Sequence, residues 1–357
     1  IVVRPQPMDS ATYTASSRLQ AAGLIRAQEL LEQCAAAVPL PAPDRPVTIA
    51  DYGAANGYNS LLPIGAAIAA VRARTRPDHA ILVTHTDVAD NDFTALFTTL
   101  NEDPDSYLAK DSATFASAVG RSFYQQILPS DSITLGWSSW ATQWLSRLPA
   151  AIDDHIHISH STDDAARRAF TRQAAEDWHD FVAFRGRELA PGGRLVALTL
   201  AIDDDGRAGF GPLMEALRGA LNRLAADGAL SAAELRRMAI PTVGRTETEL
   251  RAPFSPSGRF EGLSVEHLEI FEAEDRFWMR YQRDGDATAF GARWAGFARA
   301  AVFPTLTTAL DGGPADPRAA EFSARLHATV AAALAQRPEP MTIPLAAVVL
   351  AKHRRPQ

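Results

Sequence analysis

The stretch Asp51-Tyr52-Gly53-Ala54-Ala55-Asn56-Gly57-Tyr58-Asn59 places one carboxylate directly before a turn with two glycines. Glycine lets the backbone turn tightly and approach a ligand closely. The spacing Gly53-x-x-x-Gly57 is not the Gly-x-Gly-x-x-Gly of a dinucleotide turn, and no Lys-Ser/Thr follows it, as a phosphate loop requires. An acid ahead of the glycines repels a pyrophosphate and attracts an ammonium, such as the amino-acid end of S-adenosylmethionine. An ordinary strand-to-helix turn has the same composition, so both readings stand at this point.

Asp87 follows 36 residues after Asp51. A carboxylate there can accept two hydrogen bonds from ribose hydroxyls, as in nucleoside-binding α/β sheets; beside Asp90, Asn91 and Asp92 it can equally be a helix cap. Trp137-Ser138-Ser139-Trp140-Ala141-Thr142-Gln143-Trp144 holds three of the six tryptophans in eight residues. Trp140 and Trp144 share a face if that segment is helical. They are either plain core or, with Gln143, the wall of a pocket for an aromatic or aliphatic ligand. An indole N–H needs an acceptor when buried.

These residues need a frame. Residues 16–37 have the pattern of an amphipathic helix ended by the proline-rich 39–46. Residues 47–51 form a short apolar run into a glycine turn, 60–74 an Ala-rich helix, and 80–87 a second buried strand ending in an acid. Strand, turn, helix, strand is the start of a doubly wound parallel sheet. Further strands are expected at 132–137, 194–201, 263–268, 278–283 and 343–351, where Pro344 suggests an edge or a strand start. Helices are expected at 165–190, ended by Pro191-Gly192-Gly193, at 211–238, and over much of 286–335. The expected architecture is α/β. The sheet domain takes 38–205, about 263–283 and 340–355; a mostly helical cap takes 1–37, about 206–262 and 284–339.

Composition narrows the function. The chain has 357 residues, 46% hydrophobic and 22% charged, which is that of a globular protein. A net charge of −7 argues against broad phosphate-backbone binding, so no nucleic acid partner is expected. The single Cys34 excludes an internal disulfide framework and cysteine-based metal clusters, and its apolar helical setting makes it a structural thiol. No uncharged apolar run reaches 18 residues, so no membrane span is expected, and the start lacks a signal peptide pattern. A cytoplasmic enzyme is the expectation, with a homodimer admissible. Of the 35 cations 33 are Arg; with the abundant Ala this is associated with GC-rich bacterial genomes.

Several stretches, in order, resemble the SABATH family of S-adenosylmethionine-dependent carboxyl methyltransferases, known for salicylic, benzoic and jasmonic acid methylation. They are Tyr13-x-x-x-Ser17-x-x-Gln20; Ile49-Ala50-Asp51-x-Gly53-x-x-x-Gly57-x-Asn59; Asp87-x-x-x-Asn91-Asp92-Phe93-x-x-x-Phe97; and Ser122-Phe123-Tyr124. Ser138-Ser139-Trp140-x-x-x-Trp144-Leu145-Ser146-x-x-Pro149, Asp180-Phe181 through Arg187-Glu188-Leu189, and Gly192-Gly193-Arg194 continue the series, with a fainter echo from Ile240-Pro241 to Leu250. The chain is similar to a bacterial member of that family. The resemblance implies a Rossmann-like methyltransferase fold with S-adenosylmethionine as cofactor and S-adenosylhomocysteine as product. By the same resemblance Tyr13, Ser17, Asp51 and Asn59 hold the methionine end, beside the Gly53 turn. Asp87 takes the ribose, Val88, Ser122 and Phe123 surround the adenine, and Ser139 lines the cleft. Gln20 and Trp144 hold the substrate carboxylate, and Trp140 and Gln143 line the rest of the acceptor pocket. The chain departs from the family at Ala54, Ala55 and Asn56 in the glycine turn, at Trp140 where Tyr is usual, at Gln143 where His or Met is common, and at Ala239, where plant members carry a magnesium-binding Asn. No metal is therefore expected.

The chemistry fits these residue types. A carboxylic acid with a pKa near about 4 is ionised at neutral pH, so methylating it needs no general base. It needs aim. Two neutral donors, the Gln20 amide and the Trp144 indole, position a carboxylate without an ion pair, whereas a cation would stabilise an anion that loses its charge in the reaction. The expected partner is a small hydrophobic carboxylic acid: a fatty, benzoate-like or natural-product acid. An N-methyltransferase of a heterocycle, with Gln143 as hydrogen-bond partner, and a non-catalytic ligand-binding homologue are the alternatives. His155-x-His157-x-x-His160 could be a metal cluster, since His155 and His157 would share a face on a strand, but after Asp153 and Asp154 in a polar segment it is expected at the surface or in a loop; His85 is expected as a satisfied core histidine and Asp203–Asp205 as a solvated turn.

Overall fold

In the computed structural model, residues 20–354 are described, with side chains from residue 23 onward. Strand β1 (Val47–Tyr52) is buried on both faces except at Thr48, as a parallel strand covered by helices on each side must be. It pairs in parallel with β2 (Ile81–Asp87) and β4 (Ile133–Ser139). β3 (Thr114–Gly120) flanks β2, and β5 (Leu189–Leu200) flanks β4, both in parallel. β7 (Pro344–Lys352) runs antiparallel between β5 and the edge strand β6 (Leu263–Glu272). The seven-stranded order is β3-β2-β1-β4-β5-β7-β6. The strand order reverses between β1 and β4, and ligands of open α/β sheets bind at the carboxyl ends of strands beside such a switch point. This is the doubly wound, Rossmann-like methyltransferase sheet.

Helices α1 (Gln20–Ala37) and α2 (Leu61–Arg72) pack on each other, and α1 also lies on β4, β5 and β7. α1 is thus a layer of the sheet domain, not of the cap to which 1–37 was assigned, because its apolar stripe through Leu24, Ala27, Leu31 and Ala35 needs the sheet to bury it. α3 (Phe93–Glu102) and the short α4 (Tyr107–Lys110) follow β2. α5 (Asp164–Glu188) links β4 to β5. α6 (Gly211–Ala226), α7 (Ala232–Arg237) and α8 (Glu247–Arg251) follow β5, and α9 (Arg276–Asp284), α10 (Ala287–Ala301), α11 (Phe303–Thr307) and α12 (Ala319–Gln336) lie between β6 and β7 in the chain.

The structure differs from the sequence expectations in several places. Residues 278–283 are not a strand but part of α9. Asp275 caps it by accepting the Trp278 amide at 2.9 Å, and Gly285 ends it at φ 66°. β3 had no counterpart in the sequence reading; it is an edge strand whose Phe115 points out, 56% exposed, so its hydrophobic alternation is weak. Pro191-Gly192-Gly193 does not end the helix. The chain passes from Glu188 straight into β5, and the glycines fall at an irregularity in its pairing with β4. The helical stretch 211–238 breaks after Ala226, where Gly228 takes φ 75°. Pro344 opens β7, an interior strand and not an edge. Cys34 is buried, and burial pushes its thiol up to about 12.

Candidate active site

β1 and β2 are in register, Asp51 opposite His85 and Tyr52 opposite Thr86, so both strands end together. The Thr86 carbonyl accepts the Gly53 and Ala54 amides at 2.9 and 3.0 Å, which fixes the start of the glycine turn. Gly53 has φ 88°, and a Cβ there would sit 2.3 Å from the Ala141 Cβ. The glycine is required here by packing within the protein: any side chain would push the β1 turn off the β4 loop.

Asp87 ends β2 and accepts the Ala55 amide at Oδ2 (2.7 Å) and the Val88 amide at Oδ1 (2.8 Å). Asn91 Nδ2 donates to the Ala55 carbonyl at 2.9 Å, tying the two loops together a second time. The helix cap of α3 is Asp92, which accepts the Ala95 amide, so Asp87 is not the cap. Burial pushes the Asp87 carboxyl up to about 6; the nearby Asp51 adds to the rise, and the two amides oppose it.

A cavity of about 620 Å³ opens at these strand ends, a size suited to a small-molecule ligand. Gly53, Asp87, Val88, Ser122 and Phe123 line it, as do Ser139, Trp140 and Trp144. The structure so brings eight of the expected site residues to one space. Asp51 is buried directly behind Gly53; neither it nor Asn59 lines the cavity. Gln20 opens α1, its side chain outside the described residues, as are Tyr13 and Ser17. Gln143 is not brought to the cavity. Its amide donates to the Trp140 carbonyl at 2.8 Å and accepts from Thr199 Oγ1 at 3.4 Å, so its polar atoms serve the protein interior.

The tryptophan segment is held from three sides. Trp140 sits at φ 54°, a left-handed conformation costing a bulky residue about 1–3 kcal/mol, with its amide donating to the Leu198 carbonyl. Its ring packs on Phe210 of the cap, centroids 6.5 Å apart. The Trp144 carbonyl accepts the Tyr124 hydroxyl at 2.5 Å, and Trp144 bridges to Thr242, while Leu145 donates to the Pro241 carbonyl. The Ile240-Pro241 echo is thus the segment that carries Trp144. Ser139 Oγ and the Trp140 indole nitrogen are buried without a hydrogen-bond partner among the described residues.

Sequence reasoning gave no role to the Arg187-Glu188 motif region, and the structure supplies one. Arg185 and Glu188 are fully buried and ion-paired at 2.9 Å. Glu188 Oε1 accepts the Ile127 and Leu128 amides, its Oε2 accepts the Tyr52 hydroxyl, and Arg185 donates to the carbonyls of Phe123 and Gln125. The pair therefore clamps the loop that carries Ser122 and Phe123. The signal was present: Asp177, Phe181, Arg185 and Glu188 fall on one buried face of α5.

The three histidines correct an expectation. His155 and His157 lie in a loop but are buried, His160 closes a short 3-10 turn (Ile158–His160), and burial pushes His157 down to about 3. His155, His160 and Glu215 bring one ligand atom each within 4.8 Å. The two rings, however, lie 29° from parallel with centroids 4.9 Å apart, so their in-plane lone pairs do not converge. His155 Nδ1 also accepts the His157 amide, which leaves the ring hydrogen on the Nε2 that faces Glu215. This is a stacked pair beside a carboxylate, not a prepared metal centre.

A family profile described as SAM dependent carboxyl methyltransferase matches residues 6–348. The chain belongs to this family. A salicylate carboxymethyltransferase of Clarkia breweri is 27% identical over 252 residues, covering 67% of each chain. A Fusarium methyltransferase is 30% identical over 239 residues, 66% of this chain and 62% of its own length. The solved structure of a loganic acid methyltransferase with SAH superposes with a TM-score of 0.75 at 21% identity, over 97% of this chain and 99% of that one, which shows the fold. The relatives named are plant and fungal. As a member of this S-adenosylmethionine-dependent family the chain needs a site for that cofactor, and the cavity fits it. The Asp87 carboxylate keeps lone pairs beyond its two amide bonds, and the Ser139 hydroxyl, without a partner among the described residues, lies at the wall.

Proposed function

We propose that the protein converts the carboxylate of a small hydrophobic acid to its methyl ester. When bound, S-adenosylmethionine supplies a methyl carbon on a sulfonium; the new O–C bond forms as the S–C bond breaks, leaving S-adenosylhomocysteine and a neutral ester. Asp87 accepts the ribose hydroxyls, Val88, Ser122 and Phe123 enclose the base, and Tyr13, Ser17, Asp51 and Asn59 hold the amino-acid end. Gln20 and the Trp144 indole donate to one carboxylate and aim its oxygen along the C–S axis. Such orientation supplies on the order of 7–11 kcal/mol in favourable cases. No residue has to move a proton, because the acid arrives ionised.

The observation that supports this reading is the placement of Trp144. It lies on the cavity wall with its backbone held by Tyr124 and Thr242, as an aiming donor requires. Arg147, a cation on the same wall, is already engaged: it donates to Gln173 at 2.5 Å and lies 3.9 Å from Glu176. The heterocycle reading loses its proposed contact, since the Gln143 amide is engaged inside the protein. The test is a carboxylic acid panel with methyl-labelled cofactor and mass detection. Ester formation from at least one apolar acid supports the reading; cofactor binding without turnover on any acid would leave the ligand-binding homologue.

A further inference from the structure

His85 sits opposite Asp51 in the β1–β2 register, so the two side chains project from the same face of the sheet. Its Nδ1 is 2.7 Å from Asp51 Oδ2 and its Nε2 is 2.7 Å from the Tyr107 hydroxyl. All three side chains are buried, at 1% exposure or less. An ionised carboxylate only accepts, so Nδ1 carries the ring hydrogen and Nε2 accepts from the phenol. The donors then run one way, Tyr107 to His85 to Asp51, ending on Oδ2 and leaving Oδ1 as the oxygen that His85 does not occupy. Thr86 Oγ1 holds the Asp51 carbonyl at 3.1 Å, so the backbone of the same residue is fixed as well. A buried polar ring costs stability unless fully bonded, and this one is bonded at both nitrogens.

We propose that His85 is a positioning residue for the cofactor: by fixing one oxygen of Asp51, with Tyr107 behind it, it keeps the carboxylate turned to receive the ammonium of the amino-acid end. This rests on the reading of Asp51 as the group that holds that end. The adenosine half would be held through Asp87 and the 122–123 loop, to which none of these three side chains is hydrogen-bonded among the described residues.

The test compares two ligands by calorimetry, S-adenosylhomocysteine and 5′-methylthioadenosine, which has the same adenosine but no amino-acid end. His85→Phe should weaken the first roughly tenfold or more, as for one lost hydrogen bond to a charged group, and leave the second within about twofold. His85→Asn, which keeps a donor near the Nδ1 position, should recover most of the loss; Tyr107→Phe should show a smaller selective loss. If His85→Phe does not fold, His85→Asn and Tyr107→Phe carry the test, with 5′-methylthioadenosine binding as the proof of an intact fold. Equal losses for both ligands, or none for the first, overturn the proposal. Asp51→Asn separates the underlying reading: if it leaves S-adenosylhomocysteine binding unchanged, the assignment of Asp51 itself falls, and the role of His85 with it.

Discussion

The Ala55 amide donates to Asp87 Oδ2 at 2.7 Å, and this bond joins the glycine turn after β1 to the end of β2. The residue expected to read the ribose is therefore also the residue that sets the turn beside it. Asp87→Ala should weaken cofactor binding by about 1.5–3 kcal/mol for each charge-assisted ribose bond lost. Calorimetry checks this, and unchanged affinity would remove Asp87 from the site.

The Asp87 carboxyl, pushed up to about 6, gives a pH dependence with a definite sign. Only its ionised form accepts from both ribose hydroxyls while holding two amides. Cofactor affinity should fall as pH drops through about 6, and binding near pH 5.5 should release protons, read from calorimetry in buffers of different ionisation heat. Because the folded value lies above the unfolded one, near about 4, this group's contribution to stability is greatest below about 4 and is lost as pH rises through about 6.

Trp144→Phe keeps the aromatic surface and removes the indole N–H. If that N–H aims the acid, kcat falls while cofactor affinity stays near wild type. Gln20→Leu should act alike, and the two should be non-additive because they hold one carboxylate. Full additivity, with kcat unaltered in Trp144→Phe, rejects the clamp.

Glu188→Leu leaves the buried Arg185 without its counter-charge and frees the Ile127 and Leu128 amides. A loss of about 3–5 kcal/mol is expected in denaturant unfolding, as for one broken partner of a buried pair. Tyr52→Phe, which removes one bond to the same carboxylate, should cost about 1.5–3 kcal/mol.

Ala239 offers only a buried methyl group at the position where plant relatives were expected to carry a ligand. Activity should survive exhaustive EDTA treatment. A large loss restored by Mg²⁺ would show that other residues of the cap bind the ion.

What the sequence determined by itself was local. Asp51 before Gly53, Asp87 after an apolar run, and three clustered tryptophans carry their chemistry in residue type and spacing, and the parallel sheet follows from buried runs alternating with helices. Residues 278–283 read as a strand because Trp278 and Tyr281 look like strand residues until Asp275 and Gly285 are recognised as the caps of α9. Tertiary structure alone decided which polar groups face the cavity and which are used inside. Gln143 and Trp144 are neighbours in the chain. Yet the Gln143 amide meets Trp140 and Thr199, while Trp144 reaches the cavity wall because the Pro241–Thr242 segment, about a hundred residues away, pairs with its backbone. The Asp51–His85–Tyr107 chain depends likewise on strand register and on the placement of α4. Both are contacts between distant segments, fixed by packing and hydrogen bonding across the fold, and spacing along the chain does not encode them.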